Sequence, residues 1–376
     1  MPKLTALIED IKDILDSGQT SPFFMNFDGG PHVRRYERAF ANYVGTRYAF
    51  SMSNGTLALN AIYSALHFPP GTEIITTPYT FVATVSELVR CGLVPVFADI
   101  DLDTFNLSPL SVHDHITSKT RGIVAMHALG VPCDMPALKD MATNRGYHLA
   151  VIEDACQALG SKYGTISCGN YASNMAAFST QQTKTLGTGE GGMVVTNDRL
   201  YADRLRLVRN HGSKYAIFKH REDMAGMIGT NFRMTEIEAT IGYHGLKDYE
   251  TVLGRLNRLT KILLESIDRS NWIAPQARPN GWRMNGYIVG SRIISSRRKV
   301  QDKFLKKVKK YSKGTPGRVI GSGYSELIYE LPAFQQYREH CPRAEELVRS
   351  AIWFDIRRMD EEKVKKLGRE VERFKG

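Results

Sequence analysis

Four short stretches of this 376-residue chain carry residue types able to do chemistry. VIEDACQALGS, residues 151–161, closes a β-branched run with two adjacent acids, Glu153 and Asp154, and then places Gln157. Adjacent residues on an extended strand face opposite sides, so one acid looks into a site while the other caps or packs. A buried strand-end carboxylate needs a cationic or strongly donating partner, such as a protonated ring nitrogen. The competing reading is an N-cap for a following helix. Thirty residues beyond Asp154, FSTQQTKTLGTGEGGMVVTND puts Ser179 at a strand end and Lys184 in a polar turn flanked by glycines. A lysine amine attacks aldehydes once desolvation or a nearby positive charge lowers its pKa, although a lysine beside glycines is more often a surface residue. SNGTLAL, residues 53–59, opens a helix whose N-terminal amides and Thr56 hydroxyl suit a phosphate. TTPYTFVAT, residues 76–84, presents Tyr79 and Phe81, either of which stacks on a planar ring or packs in a core.

A phosphate cradle, an aromatic face, a carboxylate for a ring nitrogen and a lysine for an aldehyde are together the parts that hold pyridoxal phosphate. The elements that must position them are legible in the same region. The runs EIITTP, VPVFADI, RGIVAMHAL, YHLAVIEDA, MAAFST and GGMVVTND alternate with helix-like patterns. Such alternation predicts a mostly parallel sheet covered by helices on both faces. In open α/β sheets ligands lie beyond the carboxyl ends of the strands, where these candidate residues fall. Leu4, Leu7, Ile8, Ile11 and Leu15 predict a short amphipathic helix ahead of the sheet. The expected division is a large α/β domain over 1–240 and, over 241–376, a connecting helix (Thr235 to Lys261 in pattern) leading to a small C-terminal α+β domain. In that region the strand-like GYIVGSRII precedes a basic helix and a last helix from Asp360 to Phe374.

Composition narrows the class. Hydrophobic residues make up 42% and charged residues 24%, the balance of a globular protein and not of a disordered tail. The longest stretch without a charge, Tyr48 to Thr72, is broken by Asn54, Gly55, His67, Pro69 and Pro70, so no membrane span is expected. Glu9, Asp10 and Asp13 interrupt the N-terminal apolar residues, unlike a signal peptide, which predicts a cytoplasmic protein. Five cysteines without metal-like spacing predict reduced thiols and no metal site. Nearly all of the net charge of +11 lies between Arg292 and Arg318, where eleven basic side chains meet one acid, Asp302. Charge alone would admit nucleic acid. FLKKVKKY, however, places Phe304, Val308 and Tyr311 on one helical stripe, the pattern of an amphipathic helix with a solvated basic face.

With those motifs in hand, the chain resembles the DegT/DnrJ/EryC1/StrS family of fold-type-I, pyridoxal-phosphate-dependent sugar aminotransferases. The resemblance runs through GPHVRRYERAFANYVGTRYAFSMSNGTLAL, TTPYTFVATVSEL, PVFADIDLDTFNLSP, MHALGVPCDM, IEDACQALGS, FSTQQTKTLGTGEGG, RNHGSK and NFRMTEIEATIGYHGL, and weakens after about residue 250. It implies that Lys184 condenses with the cofactor aldehyde and shuttles a proton, that Asp154 pairs with the pyridinium nitrogen, and that Gln157 bonds the phenolic oxygen. Gly55, Thr56 and Ser179 would hold the phosphate and Phe81 would cover the ring. Asn231 would reach the phosphate of a neighbouring subunit, which implies a homodimer with shared sites. Arg233 and Glu236 match the family pattern as packing residues. The implied reaction is ping-pong: an amino acid, glutamate foremost, gives its amine to a keto sugar, most simply a nucleotide-linked 3- or 4-keto sugar. Arg292, Arg297, Arg298 and Arg318 are candidates for its phosphates, and Tyr324, in GYSELIYELPAF, for the sugar. Leu159 and Leu129 depart from the histidine and tyrosine usual there, which keeps a cyclitol or aminoshikimate-type ketone open. Dehydratase relatives carry histidine in place of Lys184. A non-catalytic or nucleic-acid-binding relative has only the basic segment in its favour.

Overall fold

The computed structural model describes residues 2–24, 26–144, 147–171, 173–212, 224, 226–294, 298–312 and 320–375. Its strands are β1 (Tyr48–Met52), β2 (Glu73–Thr76), β3 (Val94–Phe97), β4 (Thr120–Met126), β5 (Ala150–Asp154), β6 (Lys162–Tyr163), β7 (Ile166–Ser167), β8 (Met175–Ser179), β9 (Gly192–Thr196), β10 (Ile273–Pro275), β11 (Trp282–Arg283), β12 (Val289–Ile293), β13 (Ile320–Gly321) and β14 (Ala351–Phe354). Its α-helices are α1 (Pro2–Ser17), α2 (Pro31–Val44), α3 (Gly55–Leu66), α4 (Val82–Arg90), α5 (Pro109–Asp114), α6 (Met135–Asn144), α7 (Arg199–Arg209), α8 (Glu236–Lys247), α9 (Tyr249–Asp268), α10 (Arg298–Val308), α11 (Pro342–Ser350) and α12 (Glu361–Glu372).

A seven-stranded sheet in the order β1-β9-β8-β5-β4-β2-β3 forms the centre. The pairings β2/β3, β2/β4, β4/β5 and β5/β8 are parallel, and β9 runs antiparallel between β8 and β1. Every residue of β5 and of β9 is buried, as strands covered on both faces must be. The sheet thus has the mostly parallel, helix-flanked form that the alternating runs predict. Strand β1 is an addition to that reading: YAFSM shows no clean alternation because four of its five positions are buried.

Helix α2 shows how distant sequence closes the fold. Its buried stripe is Val33, Tyr36, Phe40, Ala41 and Val44, and it packs on α8. Gly30 at its N-cap has no side chain to offer the free backbone amides, and the Glu236 carboxylate serves instead, accepting from Gly30 N (3.1 Å), His32 N (2.8 Å) and Val33 N (3.4 Å). Glu236 is 1% exposed, and where packing was expected of it the structure shows a buried cap.

The helical pattern from Thr235 to Lys261 resolves into two helices rather than one. Asp248 leaves helical dihedrals (φ −105°, ψ 4°) between α8 and α9, a one-residue break that leaves the apolar period nearly intact. Helix α9 then leads to a four-stranded antiparallel sheet in the order β10-β12-β14-β13. Phe304 and Val308 of the basic helix α10 are buried in its core beside Phe354 and Phe374, with Tyr311 packed alongside, and Lys307 and Lys310 pair with Glu370 on α12 at 3.1 and 2.6 Å. The amphipathic reading of that segment therefore describes its fold. No described helix is long and apolar enough to cross a membrane.

Candidate functional site

The antiparallel pairing of β9 brings the end of β1, the end of β8 and the start of β9 to one edge, with Met52 and Ser179 both opposite Gly192. Strands β4 and β5 end on the same edge, at Met126 and Asp154. A cleft of about 440 Å³ lies there, with Trp353 of β14 and Tyr324 of the loop after β13 on its far wall. Its charged lining residues are Asp154, Lys184 and Glu190.

Strand geometry decides between the two acids. Asp154 is 4% exposed and lines the cleft, where its Oδ2 accepts the Thr84 hydroxyl at 2.7 Å and its Oδ1 accepts Cys156 N at 3.2 Å. No helix follows it, so the N-cap alternative falls away. Glu153 points through the other face of the sheet, wholly buried, and accepts from His127 Nε2 (2.9 Å), Gly169 N (2.7 Å) and Ser173 Oγ (2.5 Å). His127 Nδ1 takes the Cys133 N–H at 3.0 Å, so its proton sits on Nε2 and goes to Glu153. His127, Glu153 and Cys168 are close enough to be weighed as metal ligands, yet the acid and the imidazole are already satisfied.

Gln157 sits three residues past Asp154. Its Oε1 accepts Leu129 N at 2.8 Å, which fixes the amide so that Nε2 faces the cleft and donates to the Tyr324 hydroxyl at 3.1 Å. Leu129 makes that bond from a left-handed backbone (φ 57°), an uncommon conformation for a branched apolar residue. Burial pushes the Tyr324 phenol well above its ordinary range, so it stays a neutral hydroxyl. Burial, reinforced by Asp154, does the same to the Cys156 thiol, which removes it as a nucleophile.

Helix α3 starts at the cleft floor, with Asn54 capping it by accepting Leu57 N at 2.8 Å. Asn54, Gly55, Thr56 and Ser179 line this corner. A Cβ on Gly55 would come within 2.7 Å of the Ser179 Cβ, so only a glycine lets the start of α3 lie this close to Ser179. Of the two candidate aromatics, Phe81 lines the cleft and is 57% exposed, whereas Tyr79 is fully buried and accepts Trp353 Nε1 at 3.2 Å. Lys184 reaches the cleft from its turn, its own N–H donating to Gln181 O at 2.7 Å, and its Nζ donates to the Tyr287 hydroxyl at 3.4 Å.

The structure therefore brings Gly55, Thr56, Phe81, Asp154, Gln157, Ser179, Lys184 and Tyr324 into one cleft. Asn231 stands outside its lining, exposed, with Oδ1 accepting Arg233 N at 3.2 Å. Arg292 is also outside the lining and pairs with Asp103 at 3.2 Å. Arg298 opens α10, and Arg297 and Arg318 lie outside the described residues. Thr84, Tyr287 and Trp353 are lining residues that the motifs did not single out. Only Thr84 had a signal: with Thr80 it makes an i, i+4 hydroxyl pair (2.7 Å) next to the expected ring-binding aromatic.

The DegT/DnrJ/EryC1/StrS aminotransferase family matches the chain over residues 6–372. GDP-perosamine synthase of Escherichia coli O157:H7 is 36% identical over 239 residues, 64% of this chain and 64% of that enzyme, so the match spans a little under two thirds of its length. An uncharacterized protein of Methanocaldococcus jannaschii, MJ1066, is 32% identical over 317 residues, 82% of this chain and 80% of its own. Among solved structures, DesI in the presence of its TDP-sugar product superposes with a TM-score of 0.84 at 27% identity, over 98% of this chain and 90% of that one.

Proposed function

Because the chain belongs to the DegT/DnrJ/EryC1/StrS aminotransferase family, we propose that it is a pyridoxal-phosphate-dependent aminotransferase that moves the amino group of an amino acid, glutamate foremost, to a nucleotide-linked keto sugar. The observation that carries this reading is one cleft holding a lysine amine, a buried carboxylate and an oriented amide N–H beside a glycine-opened helix N-terminus.

The residues fit the cofactor. The N-terminal amides of α3, with the Thr56 and Ser179 hydroxyls brought together by the close approach of Gly55 to Ser179, suit a phosphate dianion, which the positive end of the helix dipole favours. Asp154 would hold a proton on the ring nitrogen through a carboxylate that Thr84 and Cys156 N already orient. The Gln157 Nε2, aimed by Leu129, would donate to the phenolic oxygen, and Phe81 would cover the ring face. When bound, pyridoxal phosphate supplies an aldehyde that condenses with amines and a protonated ring that takes up the electrons of a breaking C–H bond.

Lys184 does two jobs at one atom. Its Nζ carries the aldehyde-reactive lone pair, and once freed it lifts and returns the proton at the reacting carbon, general acid/base work worth about 10²–10⁴-fold in rate. Tyr324 and Trp353 wall the acceptor side, and Phe81 at the mouth is left exposed by a single chain. That exposure, with Asn231 displayed on the surface, supports a homodimer in which Asn231 of the partner subunit completes the phosphate site. The kinship with GDP-perosamine synthase and DesI supports a nucleotide-linked keto sugar as acceptor. The test is to incubate the cofactor-loaded protein with glutamate and a panel of nucleotide-linked 3- and 4-keto sugars and read amino-sugar formation by mass. Turnover confined to nucleotide-free cyclic ketones would move the acceptor to the cyclitol class.

A further inference from the structure

A lysine amine rides on a flexible four-carbon stem, so placing it over a reacting carbon requires something to hold it. Among the described residues, the hydrogen-bond partner of the Lys184 Nζ is the Tyr287 hydroxyl at 3.4 Å, with the amine 4.9 Å from the ring centroid. Tyr287 lies 103 positions further along the chain and is 8% exposed.

Tyr287 is itself held from two directions. The Arg357 guanidinium lies 4.6 Å from its ring centroid, and Asp355 fixes that guanidinium by a two-pronged contact, Nε to Oδ1 at 2.8 Å and Nη2 to Oδ2 at 2.5 Å. The Tyr287 N–H donates to Asn285 Oδ1 at 3.0 Å. Asn285, 1% exposed, donates its Nδ2 to Gln157 O (2.8 Å) and Leu159 O (3.0 Å), and its own N–H to Ser161 Oγ (3.1 Å). One amide thus ties the tyrosine backbone to the turn that begins at Asp154.

We propose that Tyr287 is a positioning residue for Lys184: its hydroxyl holds Nζ at a fixed place relative to Asp154 and Gln157 whenever the amine is not bonded to the cofactor, and Asn285 sets the register between the phenol and that turn. In the bond-forming step the Nζ lone pair adds to the aldehyde carbon, the aldehyde oxygen leaves as water with the two amine protons, and a C=N bond remains. Nothing is oxidised or reduced, and Tyr287 gains and loses nothing. Its contribution is placement, which controls how often the lone pair meets the carbon in line.

This inference rests on the reading of Lys184 as the aldehyde-binding amine, and the experiment separates the two. Cofactor-free protein is mixed with pyridoxal phosphate, and covalent bond formation is followed by its visible absorbance, with borohydride trapping and peptide mapping of the adduct. Non-covalent affinity is measured separately in the Lys184→Ala background. Tyr287→Phe should slow bond formation about tenfold, the loss of one hydrogen bond to a charged or reacting group, and leave the non-covalent Kd within about twofold. Asn285→Ser, which keeps the phenol and loosens its backbone, should slow it in the same direction by a smaller factor, and it decides the matter if Tyr287→Phe does not fold. A covalent rate unchanged from wild type overturns the proposal. So does a rise in Kd matching the fall in rate, which would make Tyr287 a wall of the pocket. If wild-type protein forms no adduct on Lys184, the lysine reading itself has failed.

Discussion

Glu153 and Asp154 are sequence neighbours that stand on opposite faces of the central sheet. Glu153 is closed off by His127, Gly169 and Ser173, while Asp154 receives Thr84 and Cys156 N and opens on the cleft. The same substitution at the two positions should therefore fail in different ways.

Asp154→Asn should fold with wild-type thermal stability and lose about 10²–10³-fold in the glutamate half-reaction, because a neutral amide cannot keep a ring nitrogen protonated. Glu153→Gln should do the reverse. It turns an acceptor of three donors into a group whose amide meets N–H groups, and it should cost about 1–3 kcal/mol in urea unfolding. Near-wild-type half-reaction rates in Asp154→Asn would return Asp154 to a structural role.

Borohydride reduction of the yellow holoprotein should fix the cofactor on the peptide containing Lys184 and on no other. Lys184→Ala should still bind cofactor non-covalently through the α3 corner, Asp154 and Gln157, and should show no transamination. An adduct mapped to a different lysine would remove Lys184 from its role.

The α/β sheet, the turn bearing Lys184 and the strand-end acids were legible because each is local: a short β-branched run and the few residues after it. The resemblance pointed to Asp154 and Phe81, but the residue types alone left Glu153 and Tyr79 open, because which of each pair faces the cleft depends on the register of the sheet and on Trp353, some 270 residues from Tyr79. Tyr287 and Asn285 carry no motif at all. They reach the site because the segment just before β12 is hydrogen-bonded to the turn after β5, through Asn285 to Gln157 O and Leu159 O, and hydrophobic period does not report that contact. The break at Asp248 escaped for the converse reason, since one non-helical residue barely disturbs the apolar spacing of α8 and α9.

Glu236 provides a control for the family pattern. Its carboxylate caps α2 across the fold and lies outside the cleft lining, so Glu236→Ala should lower stability and spare chemistry. A loss of about 1–3 kcal/mol is expected, the range for stripping a charged partner from buried amides, with the absorbance of the bound cofactor unchanged. A selective loss of activity at full stability would contradict the capping role.

Asn231 tests whether two chains share a site. It is exposed and stands outside the cleft of its own chain, its Oδ1 accepting the nearby Arg233 N–H at 3.2 Å. If Asn231 of the partner subunit completes the phosphate corner, Asn231→Ala should weaken cofactor affinity about tenfold, the value of one hydrogen bond to a charged group. The decisive measurement is complementation. Lys184→Ala subunits have no amine, and Asn231→Ala subunits spoil the site of their neighbour. In a mixed dimer one site combines both defects and the other has neither, so activity should reappear on mixing and approach one working site per heterodimer. Were Asn231 to act within its own chain, each heterodimer would carry one defect per site. Mixing would then restore nothing beyond the residual activity of the Asn231→Ala sites, even with subunit exchange demonstrated by mass.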